Sequence, residues 1–566
     1  MAQTTPTVFP LLHTQKFLPY VDSSLPAPSR TISSSGDAAV VNLAYNDWLS
    51  KDQIVRVFLA STLMEEAMAV IIGCRSSADV WSTLATTFNQ QSKARELRLK
   101  DELQFIKKVP KDFELGFNYC SNNVRVRSFN IRAKICVPAD DPLDDDDESE
   151  IVEKPFRFPS LSSSTNVTYL GHHAGYVRLL NSTKGRARMF YYFFEARQNK
   201  KTAPVVVYIT GGPGCSGSLS LFYANGPFHL THDLSLVWND YGWDKVASIL
   251  FVDQPIGTGF SYSTKETDIP TTSEEAAVHF YDFLQVFFKK HPEYADNDFY
   301  ITGGSYAGHY IPAFAAQGLV IGDGWINSGV QTASDPDYAK NMTLINQSQY
   351  NKLIPLVSEC LDKVKHVCGN GTHYNRTACG QAYLDCNIIF DTIVNSKPGL
   401  NPYDIRKKCE KSNDDLCYDF SNVGRFLNQK SVKRALGVDE RMEFASCSNA
   451  VQNAMLGDEM RNLAVYIPEL LDDGIKLLLY VGEYDLICNW LGISQSVHEM
   501  QWSGHNGFNT TDYVPFLVDG AEAGSQKSYG NLTFLKVYDA GHAVPMDQPK
   551  PALEMLGRWM QGHIPL

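Results

Sequence analysis

The chain has 566 residues, 44% of them apolar and 12% aromatic, and a formal net charge of −13. Such a composition supports a large buried core with further segments beside it, and the acidic balance argues against nucleic acid as a partner of the whole chain. No apolar run approaches the length of a membrane span, so none is expected.

Residues 1–40 are rich in Ser, Thr and Pro and read as a disordered N-terminus. Their apolar stretches are broken by Pro10, His13 and Lys16. No basic stretch leads into a continuous apolar run, so no secretory signal is expected there. Residues 41–110 read as a small all-α segment. Trp48, Ile54, Val57, Phe58, Leu59, Leu63 and Met64 recur at helical spacing, as do Val80, Trp81, Leu84 and Phe88. A third predicted helix presents Lys93, Arg95, Arg98 and Lys100 as a basic face. Residues 111–158 read as an acidic linker, because the carboxylates between Asp140 and Glu150 stay solvated and extended.

From residue 159 the pattern changes. Gly175–Leu179 and Arg188–Glu195 read as antiparallel edge strands, after which strands and helices alternate. Pro204–Ile209 reads as a buried strand ending in Thr210, Gly211, Gly212, Pro213, Gly214, Cys215 and Ser216. Glycines directly after a strand let backbone N–H groups point into a site, as an oxyanion hole requires. The aromatic and β-branched run from Asp298 to Thr302 reads as another buried strand. The small residues Gly303, Gly304, Ala307 and Gly308 then permit a tight turn into a helix. That is a nucleophile elbow, which lifts the Ser305 hydroxyl clear of the backbone at a helix N-terminus.

Between about residues 328 and 445 the alternation lapses and cysteines cluster, which reads as a cap inserted over the mouth of the site. Lys476–Val481 is a strand ending in Gly482, Glu483, Tyr484 and Asp485, and Phe534–Tyr538 leads into Asp539, Ala540, Gly541 and His542. A lone Asp or His in a loop is usually just solvated. Here Ser305, Asp485 and His542 each follow a strand, in the chain order that α/β-hydrolases use. The last two strands and a terminal helix over 551–560 close the fold. The expectation is an α/β-hydrolase over 159–566 with an inserted cap, preceded by the small all-α segment.

Three of the 12 cysteines, Cys74, Cys120 and Cys136, precede this region, and the other nine suit a disulfide framework with one left over. No compact Cys/His ligand set recurs, so no metal is expected. Glycosylation sequons at Asn166, Asn181, Asn341, Asn346, Asn370, Asn375, Asn509 and Asn531 all follow residue 160, which points to the secretory pathway.

The segments TGGPGCS, DNDFYITGGSYAGHYIPAFA, GEYDLICNWLG and DAGHAVPMDQPK resemble the serine carboxypeptidase family, especially its plant carboxypeptidase-like members. The resemblance spans roughly Val152 to Leu566. It implies that Ser305 attacks a peptide or small acyl substrate, that His542 serves as general base and then acid, and that Asp485 orients His542. It also implies an oxyanion hole from the backbone N–H groups of Gly212 and Tyr306, no cofactor, and a vacuolar or secreted home. The acidic stretch would be a linker or the remnant of a cleavable pro-segment. The family's pairing pattern suggests Cys215–Cys447, Cys409–Cys417 and two nested pairs among Cys360, Cys368, Cys379 and Cys386, with Cys488 as the free thiol.

The same resemblance exposes departures. The family holds the substrate's C-terminal carboxylate with an Asn before the paired glycines and with two Glu side chains. The matching positions here, beside Gly211, are Thr210, Gly304 and Ala224, and Ala543 follows His542 where Met is frequent. A carboxypeptidase with weakened recognition of free C-termini is expected. The alternatives are an acyltransferase of the same family, or a catalytically impaired binding protein or pseudogene product. Ala315–Gln317 also runs almost directly into the next strand, leaving a crossover near the minimum length. Finally, residues 41–110 resemble the Gag capsid segment of copia-type retrotransposons. No zinc knuckle follows, so RNA binding is not implied, and the favoured reading, a fossil fused by gene rearrangement or a gene-model error, gives the segment no role in the enzyme.

Overall fold

In a computed structural model of the chain, the described residues are 31–33, 39–41, 150–159, 172–180, 183, 186–314, 318–369, 374–409 and 417–562. The chain divides into two units, Met1–Leu115 and Gly116–Leu566. In the first, Thr31–Ser33 pairs antiparallel with Ala39–Val41. The stretch read as disordered therefore contains a short ribbon, to which Thr31, Ile32, Val40 and Val41 bring β-branched residues of high strand propensity. The helices expected over 41–110 and most of the acidic linker lie outside the described residues.

The second unit is built on an eleven-stranded sheet. In chain order its strands are β1 (Ile151–Pro155), β2 (His173–Arg178), β3 (Arg188–Phe194), β4 (Val205–Ile209), β5 (Ser248–Val252), β6 (Phe299–Gly304), β7 (Gly318–Gly322), β8 (Lys476–Gly482), β9 (Val514–Val518), β10 (Ala521–Tyr529) and β11 (Leu532–Val537). Their order across the sheet is β9-β10-β11-β8-β7-β6-β4-β5-β3-β2-β1. The central strands from β5 to β11 are parallel, and antiparallel strands flank them on both sides. Every residue of β4, β5 and β7 is buried, as parallel strands covered on both faces require. On one face, helix α1 (Ser273–Lys290) lays Phe283 and Phe287 edge-on against Tyr191 of β3, at ring separations of 5.6 Å. Thr272 caps that helix by accepting the Glu275 amide at 3.2 Å.

Two strands depart from the sequence reading. β1 belongs to the sheet, pairing with β2 from Ile151↔Val177 to Pro155↔His173, although its residues fall in the stretch assigned to the linker. The end of the chain adds four strands rather than two, because β9 and β10 form a hairpin that extends the sheet beyond β11. Asp519 and Gly520, at φ 53° and 82°, make its turn, and Asp-Gly is a hairpin signal. The short crossover closes. Helix α2 (Ala307–Ala313) follows β6, and β7 still pairs with β6 in register from Tyr300↔Gly318 to Gly304↔Gly322.

The insertion between β7 and β8 contains α3 (Ser328–Asn341), α4 (Gln347–Val367) and α5 (Arg376–Val394), and runs on to residue 475 before the sheet resumes. Disulfides Cys360–Cys386 and, nested inside it, Cys368–Cys379 tie α4 and its C-cap to α5. Cys409–Cys417 closes a short loop, and Cys215–Cys447 joins the loop after β4 to the far part of the insertion. Cys488 is buried and unpaired. Cross-links of this kind contribute about 2–4 kcal/mol each, comparable with much of a domain's net stability. Reduction should therefore lower the thermal midpoint sharply, and equal midpoints with and without reductant would rule out a stabilising role for these bonds.

Candidate active site

The loops after β4, β6, β7, β8 and β11 meet at the C-terminal edge of the parallel strands. Ser305 follows β6 directly at φ 61°, a left-handed conformation costly for a residue with a side chain. The surroundings hold it there. Its N–H donates to Gly322 O at 3.1 Å, and its carbonyl accepts from the Gly308 and Trp325 amides, both at 2.9 Å. The turn after β4 lies against this elbow. A Cβ placed on Gly211 would come within 2.5 Å of the Tyr306 nitrogen and 2.8 Å of Ser305 Cβ, so only glycine lets the two loops approach. Gly212, at φ 117°, turns the chain immediately afterwards.

Beyond β8 and β11, His542 Nδ1 sits 2.8 Å from Asp485 Oδ2, and Asp485 has no exposed surface. The insertion reaches this pair. The Tyr403 carbonyl accepts the His542 amide at 2.7 Å, and the two rings stand 5.2 Å apart. Tyr403 continues through Tyr418 and Phe420 to Tyr223, an aromatic wall with neighbouring rings 4.9–5.5 Å apart.

A second carboxyl underlies the first. Asp323 follows β7 at φ 46°, accepts the Gly482 amide at 2.7 Å and is hydrogen-bonded to Asp485. Burial, and then the Asp485 charge, push Asp323 well above the usual carboxylate range. Cys488 Sγ lies with the Asp485 and His542 ligand atoms inside 4.8 Å. Burial pushes the Cys488 thiol well above its usual range, away from the thiolate form that a metal would take.

Behind the elbow is an ionic network. Asp458, fully buried, accepts from Tyr306 Oη at 2.8 Å, Ser273 Oγ at 2.6 Å and Arg461 at 2.6 Å. Arg461 also clamps Glu274 with bonds of 2.6 and 2.7 Å, and Tyr466 Oη adds one of 2.8 Å. His309 stacks on Tyr306 at 4.7 Å. Sequence reasoning missed Asp323, Tyr403, Asp458, Glu459 and Arg461. Only Asp323 carried a signal, its position directly after a strand.

The remaining residues singled out from the sequence fall as follows. Thr210 Oγ1 is 3.5 Å from Ser220 Oγ. Ala224 is the half-buried C-cap of the helix Ser218–Tyr223, and Ala543 is the half-buried N-cap of the turn Val544–Asp547. Asn341, Asn346, Asn375 and Asn509 are exposed. Asn531 is half-buried and its Nδ2 donates to Leu471 O at 3.0 Å, a bond that glycosylation would break. Asn166, Asn181 and Asn370 lie outside the described residues.

The buried acids set a pH signature. Burial pushes Asp253 up to about 6 and holds Asp323, Asp335 and Glu459 well above the usual range. Each binds its proton more tightly folded than unfolded, so its contribution to stability falls as pH rises through that interval. Buried His172, pushed down to about 4, and His229 and His309, also lowered by burial, act the other way, but only up to their unfolded value of about 6.5. Above about pH 6.5 the Asp253 and histidine contributions are complete, so a further fall of the thermal midpoint with rising pH belongs to Asp323, Asp335 and Glu459, and replacing Asp335 by Asn should reduce it. Calorimetry showing the same pH dependence in Asp335→Asn and the parent would overturn this account for Asp335.

A doubly flanked parallel sheet with Ser, Asp and His beyond the ends of its strands is an α/β-hydrolase. Residues 159–562 match the serine carboxypeptidase family, and the chain belongs to it. It is 51% identical to serine carboxypeptidase-like 48 of Arabidopsis thaliana over 73% of this chain and 84% of that one. Against serine carboxypeptidase 3 of Oryza sativa subsp. japonica it is 50% identical, over 73% and 84%. Kex1 of Saccharomyces cerevisiae, described as a prohormone-processing carboxypeptidase, is similar in structure with a TM-score of 0.62 and 26% identity, over 69% of this chain and 91% of that one. Residues 10–112 match the gag-polypeptide of copia-type LTR elements, so the Gag-like segment begins inside the stretch first read as disordered. No helix among the described residues is long and apolar enough to cross a membrane.

Proposed function

We propose that this protein cleaves peptides through an acyl-enzyme on Ser305, with weakened hold on a free C-terminal carboxylate. The observation that carries this reading is the strained Ser305 elbow on the same strand edge as a fully buried Asp485 bonded to His542. His542 accepts the Ser305 proton as the hydroxyl oxygen bonds to the acyl carbon, and returns it to the leaving amine as the C–N bond breaks. Asp485 fixes the His542 tautomer and stabilises its imidazolium. Asp323, hydrogen-bonded to Asp485, keeps that carboxylate in place. The N–H groups of Gly212 and Tyr306 receive the oxyanion, each such donor lowering the barrier by about 3–4 kcal/mol. Water then repeats the attack on the acyl-enzyme. The disulfides and the exposed sequons suit a vacuolar or secreted home.

An uncharged fluorophosphonate tests the reading: it should label Ser305, and an unlabelled Ser305 would reject it. Substrate recognition has its own test. Where a carboxyl would project from position 304, the Tyr208 hydroxyl stands 3.3 Å from an added Cβ, and burial pushes this phenol up to about 12, keeping it a neutral donor. Thr210 and Ser220 offer only further hydroxyls. An incoming carboxylate loses water for weak replacements, so blocked peptide esters should be cleaved faster than free-acid peptides of the same sequence. Gly304→Glu with Ala224→Glu should restore preference for free C-termini, with the Gly322 carbonyl and the Tyr208 hydroxyl, 3.2 and 3.3 Å from the added Cβ, each yielding a few tenths of an ångström. Efficient trimming of free peptides by the unaltered protein would show that other groups bind the carboxylate.

A further inference from the structure

One short piece of the insertion touches both halves of the acid–base pair. On the Asp485 side, the Pro402 carbonyl accepts the Leu486 and Ile487 amides at 3.0 and 3.1 Å, and the Ile405 amide donates to Tyr484 O at 3.1 Å. Residues 402–405 thus bracket Asp485 from before and after. On the His542 side, the Tyr403 carbonyl accepts the His542 amide at 2.7 Å. The approach is close: a Cβ on Gly541 would meet that carbonyl oxygen at 2.4 Å and Asp404 Cβ at 2.7 Å, so only glycine before His542 lets the segment dock.

The Gly541 amide leads back to the same segment by a second route. It donates to Asp547 Oδ2 at 2.8 Å, and the other Asp547 oxygen receives Lys407 Nζ at 2.6 Å. Lys407 also reaches Asp404 Oδ2 at 3.1 Å, on a carboxylate with no exposed surface that Arg406 clamps with bonds of 2.7 and 2.9 Å. Two consecutive amides, those of Gly541 and His542, are therefore tied to residues 403–407, one through a carbonyl and one through an ion pair. The two ties hold the peptide planes on either side of Gly541. They remove the backbone freedom that a glycine would otherwise give to the residue carrying the imidazole.

The segment is itself braced. Asn401 Oδ1 accepts the Tyr403 amide at 2.9 Å, and its Nδ2 donates to Cys417 O at 3.2 Å. The Cys409–Cys417 bond begins two residues past Lys407. Stability alone does not account for the lysine. Its side chain is 43% exposed, and an ion pair made by so accessible an ammonium adds little to folding. Asp547, at 8%, is turned to the Gly541 amide.

We propose that Lys407 is a positioning residue: by holding Asp547 on the Gly541 amide, it keeps the His542 ring directed for proton transfer from Ser305. The insertion on this account splints the acid–base pair across the ends of β8 and β11.

This inference rests on the Ser305 and His542 chemistry proposed above, and its test separates the two. An uncharged fluorophosphonate is used on the full chain, with the maximal labelling rate and the half-saturating concentration measured separately. Labelling needs His542 to take the Ser305 proton, as attack on a substrate does. Lys407→Met should lower the maximal rate about 10-fold or more at an unchanged half-saturating concentration, the scale of a misdirected catalytic group. Lys407→Arg keeps a donor on Asp547 and should recover most of the loss. Asp547→Asn should lose as much as Lys407→Met, and the double variant no more than either, because both break one path. Rates are taken per site finally labelled, so a smaller folded fraction cancels. An unchanged maximal rate in Lys407→Met, an equal loss in Lys407→Arg, or losses that multiply in the double variant overturn the assignment and leave the Ser305 reading intact. Failure of the unaltered protein to label at Ser305 overturns both.

Discussion

Ser305→Ala should lower hydrolysis of any ester or peptide by about four to six powers of ten while leaving the thermal midpoint within a degree or so, because the side chain lost is the proposed nucleophile and the bonds that hold the elbow are those of its backbone. The residual rate would come from the oxyanion donors and binding alone. The structure makes the substitution clean. The φ of 61° and the backbone bonds to Gly322, Gly308 and Trp325 involve no side-chain atom of Ser305. Equal rates for variant and parent on an activated ester would show that the elbow is not the reactive centre.

The second large effect is on stability. Arg461→Met should destabilise the fold by about 3–5 kcal/mol, since it removes one partner of a buried pair and leaves the other charged and unpaired. Arg461 is 3% exposed and Asp458 0%, so little water can enter to compensate. Asp458 also anchors the Tyr306 hydroxyl, and Tyr306 carries one of the proposed oxyanion donors. The variant should therefore lose turnover at temperatures where it is still folded. Arg461→Lys should fall between the two, because an ammonium cannot reproduce the two-sided clamp on Asp458 and Glu274. Urea melts that coincide for all three proteins would show that the network contributes nothing net.

What could be read from the sequence was local. The elbow shows because its small residues, Ser305 and the strand are contiguous. Asp485 and His542 show because each follows an apolar strand, and the turn after β4 shows because its glycines are adjacent. The hidden parts depend on distant partners. Nothing around Asp323 announces that Asp485 will lie beside it, and Asp458 looks like any helix-flanking acid until Arg461, Ser273 and Tyr306 converge on it. β1 was lost to the linker because the acidic run next to it outweighed a five-residue strand whose partner is β2. The β9–β10 hairpin was legible at Asp519–Gly520, but Pro515 interrupts the apolar run of β9 and β10 is largely polar, so neither matches the proline-free apolar runs that marked the parallel strands.

The short crossover between β6 and β7 also orders the birth of the site. Strand, elbow, helix and next strand are neighbours along the chain, so the nucleophile's turn can form from contacts of short sequence separation, which are the quickest to make. Asp485 must wait for the whole disulfide-bonded insertion to be made, and His542 for the strand beyond the β9–β10 hairpin. A chain halted before β11 therefore has the strand and elbow that carry Ser305 but not yet the strand end that carries His542, the residue proposed to take its proton.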